Sequence, residues 1–308
     1  MLMSKNSIVI GMGIGQLYQQ VLNDLGYTVV TVDADPAKGA EFTDVDSAIE
    51  KYKNFDTAHI CTPNFTHAEL AEKLAPYTKI IFVEKPGVEN SKSWQNLVKS
   101  YSNTRIVMVK NNQWRNNITE LTELVENSYM VDIKWINDDR VPSPGTWFTT
   151  KSLAYGGVSR DLMPHLLSLF MVLEPNYKQA IQTKNSARTV WQLSDFTKTD
   201  YGIINKNGVY DVDDVCSLSF KTDNTEWNLT ADWRSCAGDE RCITFYLNPT
   251  KNGSDSNITV SVELGLCPEY AYKNMIEDCV KNLNNNEFWQ HQLEQDYYIH
   301  EKVEQIEM

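Results

Sequence analysis

Three groups of residues suited to one reaction follow one another along the chain. Gly11-Met12-Gly13-Ile14-Gly15 is a glycine-rich turn, Glu84-Lys85-Pro86 carries a lysine, and Gly156-Gly157 precedes Asp161 and His165. A strand, a glycine turn and a helix can hold a pyrophosphate on exposed backbone N–H groups. A lysine and an Asp/His pair can move a proton while a hydride leaves. Together they point to a nicotinamide-dependent oxidation or reduction.

Within the turn, Gly11 permits the sharp change of direction and Gly13 lets a cofactor approach the backbone, with Ile14 and Gly15 leading into the helix. The usual third glycine position holds Gln16, and Gly15 comes one residue early. Asp33 ends the second strand about 20 residues further on, where a carboxylate can accept from both ribose hydroxyls of an adenosine. That carboxylate would repel a 2′-phosphate, so NAD is favoured, and Lys38 close by in sequence keeps NADP open. A capping role for Asp33 in Asp33-Ala34-Asp35-Pro36 is the structural alternative. Cys61-Thr62-Pro63-Asn64-Phe65-Thr66-His67 follows the third strand and Glu84-Lys85-Pro86-Gly87 the fourth. Both lie at carboxyl ends of parallel strands, where open α/β sheets bind ligands.

The elements that must position these groups are legible as a change of rhythm. Up to about Val109, short β-branched runs (Ser7 to Ile10, Thr28 to Asp33, Thr57 to Cys61, Lys79 to Glu84, Arg105 to Val109) alternate with helical spacing. The helical segments are Gln16 to Leu25, Val45 to Lys51, His67 to Ala75 and Ser91 to Ser100. This is the pattern of a parallel sheet with crossover helices. Beyond Arg115, longer runs with period-two alternation predict mostly antiparallel strands: Val215 to Thr222, Trp227 to Trp233, Ile243 to Leu247 and Ile258 to Leu264. Helices over Glu269 to Leu283 and Phe288 to Ile306 close the chain. The predicted fold is α/β, with a dinucleotide-binding Rossmann domain over 1–115 and a substrate-binding and oligomerisation domain over 116–308.

Composition narrows the class of partner. The chain has 308 residues, 42% of them hydrophobic, enough to bury a sizeable core. With 28 Lys plus Arg against 41 Asp plus Glu, a net charge of −13 repels phosphate backbones and anionic lipid, so neither nucleic acid nor membrane is expected as a partner. No apolar run spans a bilayer and no signal-like segment opens the chain, which reads as cytoplasmic. Six cysteines (Cys61, Cys216, Cys236, Cys242, Cys267, Cys279) lack metal-ligand spacing, so no metal is expected and reduced thiols are.

On the turn at Gly11, Thr62-Pro63-Asn64 with His67, Glu84-Lys85-Pro86, Gly156-Gly157, and Asp161 with His165, the chain resembles the Gfo/Idh/MocA oxidoreductase family, the glucose–fructose oxidoreductase and inositol dehydrogenase group. Its last helix, DYYIHEKVEQI, is similar as well. The resemblance implies a Rossmann domain followed by an α/β domain with a large, open, mainly antiparallel sheet, and an active site between them. It implies that Gly11, Gly13, Ile14, Gly15, Asp33, Thr62, Pro63, Asn64, His67, Glu84, Lys85 and Pro86 serve the cofactor, with Pro86 after a cis bond. Lys85 would touch the nicotinamide ribose and the substrate hydroxyl. Assembly into a homodimer or homotetramer through the exposed sheet face is implied too.

The chemistry asks for these residue types: His165 as the base that takes a hydroxyl proton, Lys85 to stabilise the developing alkoxide, Asp161 to bind a neighbouring hydroxyl or orient the imidazole. Four residues apart, Asp161 and His165 would share one helix face, although Pro164 between them disturbs the pitch. Trp114 and Arg115 match an aromatic–arginine pair of the family, and would border the substrate or pin a domain interface. Trp147, Tyr155 and Trp233 offer aromatic faces to a sugar ring, and Lys110 and Asn112 are further candidates. The leading expectation is hydride transfer between NAD(P) and a secondary alcohol of a sugar, inositol or sugar derivative. The alternatives are a reductase of another unsaturated substrate, such as a linear tetrapyrrole or cyclic imine, and a non-catalytic dinucleotide or sugar sensor.

Overall fold

A computed structural model describes residues 5–138, 140–199, 202–235, 238–248 and 258–306. Contacts divide the chain into two compact units, one of 1–114 with 268–297, the other of 115–267 with 298–308. The sequence reading places a single cut at 115/116. The difference is the return of 268–297 to the first unit, where the helix over Glu269–Lys281 packs on Gly15–Asp24 and Asn111–Trp114.

The first unit is built on β1 (Lys5–Ile10), β2 (Tyr27–Val32), β3 (Phe55–Ile60), β4 (Thr78–Val83) and β5 (Arg105–Met108), all parallel in the order β2-β1-β3-β4-β5. Their near-continuous apolar runs suit a sheet buried on both faces. Crossovers run through α1 (Gly15–Asp24), α2 (Val45–Tyr52), α3 (His67–Leu74) and α4 (Ser91–Ser100). Asp44 and Asn90 start α2 and α4 by accepting from the N–H groups of Ser47 and Ser93. Helices α9 (Glu269–Lys281) and the first turns of α10 (Asn286–Glu304) complete the unit. Their anchor is an ion pair between Lys110 and Asp296, both essentially inaccessible to solvent. Asp296 also accepts from the Met108 N–H. Lys110 is therefore a structural cation, not the substrate contact the sequence suggested.

In the second unit a six-stranded sheet has the order β11-β10-β6-β9-β8-β7, formed by β6 (Ser128–Asp138), β7 (Ile181–Arg188), β8 (Val215–Lys221), β9 (Glu226–Ser235), β10 (Glu240–Leu247) and β11 (Ile258–Glu263). Only β6 and β9 pair in parallel. Period-two alternation sends Val131, Ile133, Trp227, Leu229, Leu218 and Phe220 to the buried face. Against that face lies α8 (Met163–Leu173), apolar on nearly every side, whose Phe170 stacks on Phe220 with ring centroids 4.7 Å apart. The unit is completed by α5 (Ile118–Glu126), α6 (Lys151–Ala154) and α7 (Val158–Asp161). The opposite sheet face is polar: Asn228 donates to Asp132 and Ser219 to Asn228.

Beneath the parallel sheet, His59 is fully buried and stacked on Phe82 at 4.7 Å and 4°. Thr57 Oγ1 gives its hydrogen to Ser7 and accepts from His59 Nε2–H, while Nδ1 has no partner. Burial holds this imidazole neutral and pushes its pKa from 6.5 down to about 3. The unfolded chain therefore binds the extra proton between those values, and His59 contributes stability that is lost as pH falls, at about 1.4 kcal/mol per pH unit. Asp296, raised by burial to about 6, gives the opposite slope in part of that window. Subtracting the unfolding free energies of His59→Gln from those of the wild type at each pH isolates the histidine, and this difference is expected to shrink below pH 6.5. A difference independent of pH would show that the imidazole is not held neutral.

Candidate active site

The strand order of the first unit reverses between β1 and β3, so their carboxyl ends open a crevice suited to a dinucleotide. Gly11 sits there with φ +89°, and a Cβ on it would lie 2.6 Å from the Cys61 carbonyl oxygen. Only glycine fits such a conformation and approach. Gly13, by contrast, has open space where its Cβ would be. In the first helical bonds Gln16 donates to Gly13 and Leu17 to Ile14, and no side chain caps Ile14. The preceding N–H groups, Gly13 to Gly15, are left for an anion at the positive end of α1. The Asp33 carboxylate accepts from the Met12 N–H at 2.6 Å and the Asp35 N–H at 2.9 Å. It caps its own turn, as the structural alternative has it, and it also stands beside the glycine loop. A pyrophosphate over Gly13 with a ribose at Asp33 fits these residues.

The two further segments at this edge are built by side chain–backbone bonds. Thr66 donates to Pro63 O, and the Thr62 hydroxyl donates to Thr66, shaping the half-buried Thr62-Pro63-Asn64 loop. Glu84 accepts from the Tyr18 hydroxyl at 2.7 Å and from the Lys85 N–H at 3.2 Å. Burial, with the Glu84 charge beside it, keeps the Tyr18 phenol well above its usual range, so it remains the donor. The Lys85–Pro86 bond is cis, and Lys85 itself is half-buried. His67 is fully buried with its ring nitrogens against two backbone carbonyls. The expected cofactor contact by His67 is corrected: both nitrogens face carbonyls within the protein.

In the second unit Asp161 and His165 do not share a continuous helix. Pro164 has no N–H to continue α7, so α7 ends at Asp161, Leu162 turns the chain, and α8 begins at Met163. Asp161 Oδ2 accepts from the Trp233 indole N–H at 2.9 Å. Trp233 is buried, so it orients Asp161 instead of offering a face to substrate. His165 stacks on Trp135, centroids 5.2 Å apart and planes at 20°. Trp147 lies on Phe148, and Tyr155 ends α6 with φ +68°; both are half-buried. The pair Trp114 and Arg115 is anchored within its own units. The Trp114 indole donates to Asp278, and the buried Arg115 guanidinium donates to the carbonyls of Leu264 and Leu266. Arg115 thus anchors the 264–266 backbone of its own unit. Asn112 is fully buried.

Sequence reasoning missed Asp213. Its carboxylate accepts from Gly157 N, Ser159 N and Ser159 Oγ at 2.7–2.9 Å, and its carbonyl accepts from Val158 N at 2.9 Å. A Cβ on Gly157 would run into that carbonyl. This is why position 157 before Asp161 is glycine: the chain must press on the Asp213 backbone, while a Cβ on Gly156 would meet the Arg160 side chain. The available signal was the pair Asp213-Asp214 set between valines immediately before an alternating strand.

Comparisons with known proteins agree with this geometry. Residues 6–111 match the GFO_IDH_MocA description "Oxidoreductase family, NAD-binding Rossmann fold". Over those residues the chain is similar to that oxidoreductase family's Rossmann domain. A protein of Amycolatopsis mediterranei (strain S699), provisionally named UDP-kanosamine synthase oxidoreductase subunit, is 29% identical over 187 residues, 56% of this chain and 52% of its own length. Inositol 2-dehydrogenase of Rhizobium meliloti (strain 1021) is 28% identical over 149 residues, 44% of each chain. The chain thus spans about half the length of the curated relatives it matches. Over nearly its whole length it shares the fold of GenD2 from gentamicin A biosynthesis, solved with NAD (TM-score 0.74, 17% identity, 99% of this chain and 93% of that one). It also shares the fold of levoglucosan dehydrogenase in complex with NADH and levoglucosan (TM-score 0.70, 18% identity, 98% and 96%). The expected fold class and family are borne out. Among the described residues no helix is long and apolar enough to cross a membrane.

Asp213→Ala removes three hydrogen bonds to a buried carboxylate and leaves their donors unpaired. It is expected to lower the unfolding free energy by roughly 3 kcal/mol or more. Chemical denaturation measures this directly, and a loss under about 1 kcal/mol would deny Asp213 its part in holding the α7 turn.

Proposed function

We propose that this chain is an NAD(H)-dependent dehydrogenase acting on a secondary alcohol of a sugar, an inositol or a derivative of either. The observation that carries the reading is the edge of the first sheet, where one strand-end row holds the Gly11–Gly15 turn, Asp33, the Thr62–Asn64 loop and Lys85. The substrate class is supported by two similar proteins, inositol 2-dehydrogenase and levoglucosan dehydrogenase.

NAD, when bound, supplies a ring that accepts or returns hydride. The chain's part is positional and protonic. N–H groups of the Gly13–Gly15 turn hold the pyrophosphate, and Asp33 takes the adenosine ribose and disfavours a 2′-phosphate, so NAD is the cofactor and NADP the poorer one. Lys85 places its ammonium at the substrate oxygen, where it gains most as that oxygen becomes alkoxide-like. His165 takes the hydroxyl proton on its imidazole in oxidation and returns it in reduction. Asp161, oriented by Trp233, binds a neighbouring hydroxyl or orients the imidazole. The polar outer face of the six-stranded sheet is assigned to assembly with further copies of the chain as a dimer or tetramer, and the protein to the cytoplasm.

A panel of sugars and polyols offered with NAD+ and NADP+, followed at the absorbance of the reduced nicotinamide, tests the reading. Reduction of NAD+ by at least one polyol, with NADP+ used less well, is expected. Turnover confined to reduction of unsaturated substrates by NADH would replace the alcohol with another substrate class. On the polyol found, oxidation is expected to rise with pH through a histidine ionisation while the reverse reaction falls. His165→Asn should remove that dependence, and Lys85→Ala should lower turnover by about a hundredfold or more. A His165→Asn enzyme with full rate and an unchanged pH profile would transfer the base elsewhere.

A further inference from the structure

The buried His67 at the start of α3 has one ring nitrogen on each of two loops. Nδ1 lies 2.7 Å from Gly87 O, and Nε2 lies 2.8 Å from Thr62 O. A carbonyl oxygen accepts and cannot donate, so both contacts are hydrogen bonds only when both nitrogens carry hydrogen, that is, in the imidazolium. A neutral ring would leave one lone pair facing an oxygen at hydrogen-bond distance. The two acceptors belong to different segments: Thr62 opens the loop after β3, and Gly87 closes the turn that carries Lys85, its N–H donating to Glu84 O.

We infer that His67 is a positioning residue, an imidazolium clamp whose two donated hydrogen bonds fix the separation of the Thr62–Asn64 loop and the Lys85 turn, and that loss of its proton releases one of them. The clamp itself stands on geometry alone, while its effect on cofactor rests on the reading of this edge as the NAD(H) site. Titratable groups on the segments around it are Cys61 beyond β3, Glu84 and Lys85 beyond β4, Glu69 on its own helix and Glu89 before α4. Burial keeps the Cys61 thiol protonated, and the Glu84 carboxylate is held by Tyr18 and the Lys85 N–H. Burial first, and then the Lys85 ammonium, oppose charge on His67, while the Gly87 and Thr62 carbonyls favour it. The balance lies below the ordinary histidine value. The clamp therefore closes on the acid side of 6.5 and loses one hydrogen bond as pH rises past its ionisation. A charge-assisted hydrogen bond gained at the cofactor edge corresponds to about a tenfold tightening of NADH binding.

Ring-nitrogen NMR of the cofactor-free protein with 15N-labelled histidine reads the clamp without any turnover. Five histidines give a tractable spectrum, and His67→Gln, whose amide donates without titrating, assigns the resonance. Both His67 nitrogens should be protonated at acid pH, one of them deprotonating as the pH rises to neutral. A single neutral tautomer throughout the acid range would overturn the inference from the wild-type spectrum alone, whether or not the variant folds. Fluorescence titration with NADH across the same range should show wild-type affinity tightening about tenfold toward acid in step with the NMR midpoint, with the Gln variant lacking that step. The same pH dependence in both proteins would deny His67 its positioning role. If the ring titrated as stated and neither protein bound NADH, the clamp would stand and the cofactor reading of this edge would fall.

Discussion

The close approach of β1 and β3 at their carboxyl ends governs the whole cofactor edge. Cys61 donates its N–H to Ile10 O, and Gly11 packs where any side chain would meet the Cys61 carbonyl. That contact lets the chain leave β1, turn at once and enter α1 with its first N–H groups pointing outward. The remaining parts follow from the same edge. Tyr18, one turn into α1, reaches Glu84 beyond β4, and Glu84 in turn holds the Lys85 backbone. Asp33, at the end of β2, holds the glycine loop from the other side. The row of strand ends is thus cross-tied before any ligand arrives, which lowers the cost of ordering it on binding.

The second unit solves a different problem. Asp161 and His165 sit at a helix break, and short helices hold position poorly by themselves. Their support comes from the sheet: Asp213 takes four backbone or hydroxyl donors of the α7 turn, Trp233 holds Asp161, and Trp135 carries the His165 ring. Behind them the apolar α8 is buried against Phe220 and Trp227. Precision at the polar residues is thereby drawn from the packing of a rigid sheet and helix.

Much of this was legible in the residues, and what was not has physical causes. The parallel half reads clearly because buried parallel strands are β-branched runs separated by helical spacing, and α4 occupies the residues its periodicity predicts, Ser91–Ser100. The Gly11 turn and Asp33 were visible because their chemistry is local. The strand β7 carries little alternation, being largely exposed, and went unread. Nor does α8 show a helical stripe, since it is buried almost all round. Pro164 announced the break between Asp161 and His165 but not that Leu162 would absorb it. The roles of His67, Arg115, Lys110 and Asp213 each depend on at least one partner 20 to 186 residues away in sequence, which no spacing rule reaches.

We place a dinucleotide pyrophosphate in the space over Gly13. Gly13→Val tests it most directly, because a Cβ there meets no protein atom within 4 Å beyond its chain neighbours, and the variant is expected to fold. Calorimetric titration of the wild type and the variant with NADH, alongside their thermal unfolding, is the measurement. Unfolding temperatures within about 2 °C of each other and NADH binding weakened by more than about a hundredfold are expected. Undiminished NADH binding by a folded Gly13→Val protein would contradict it.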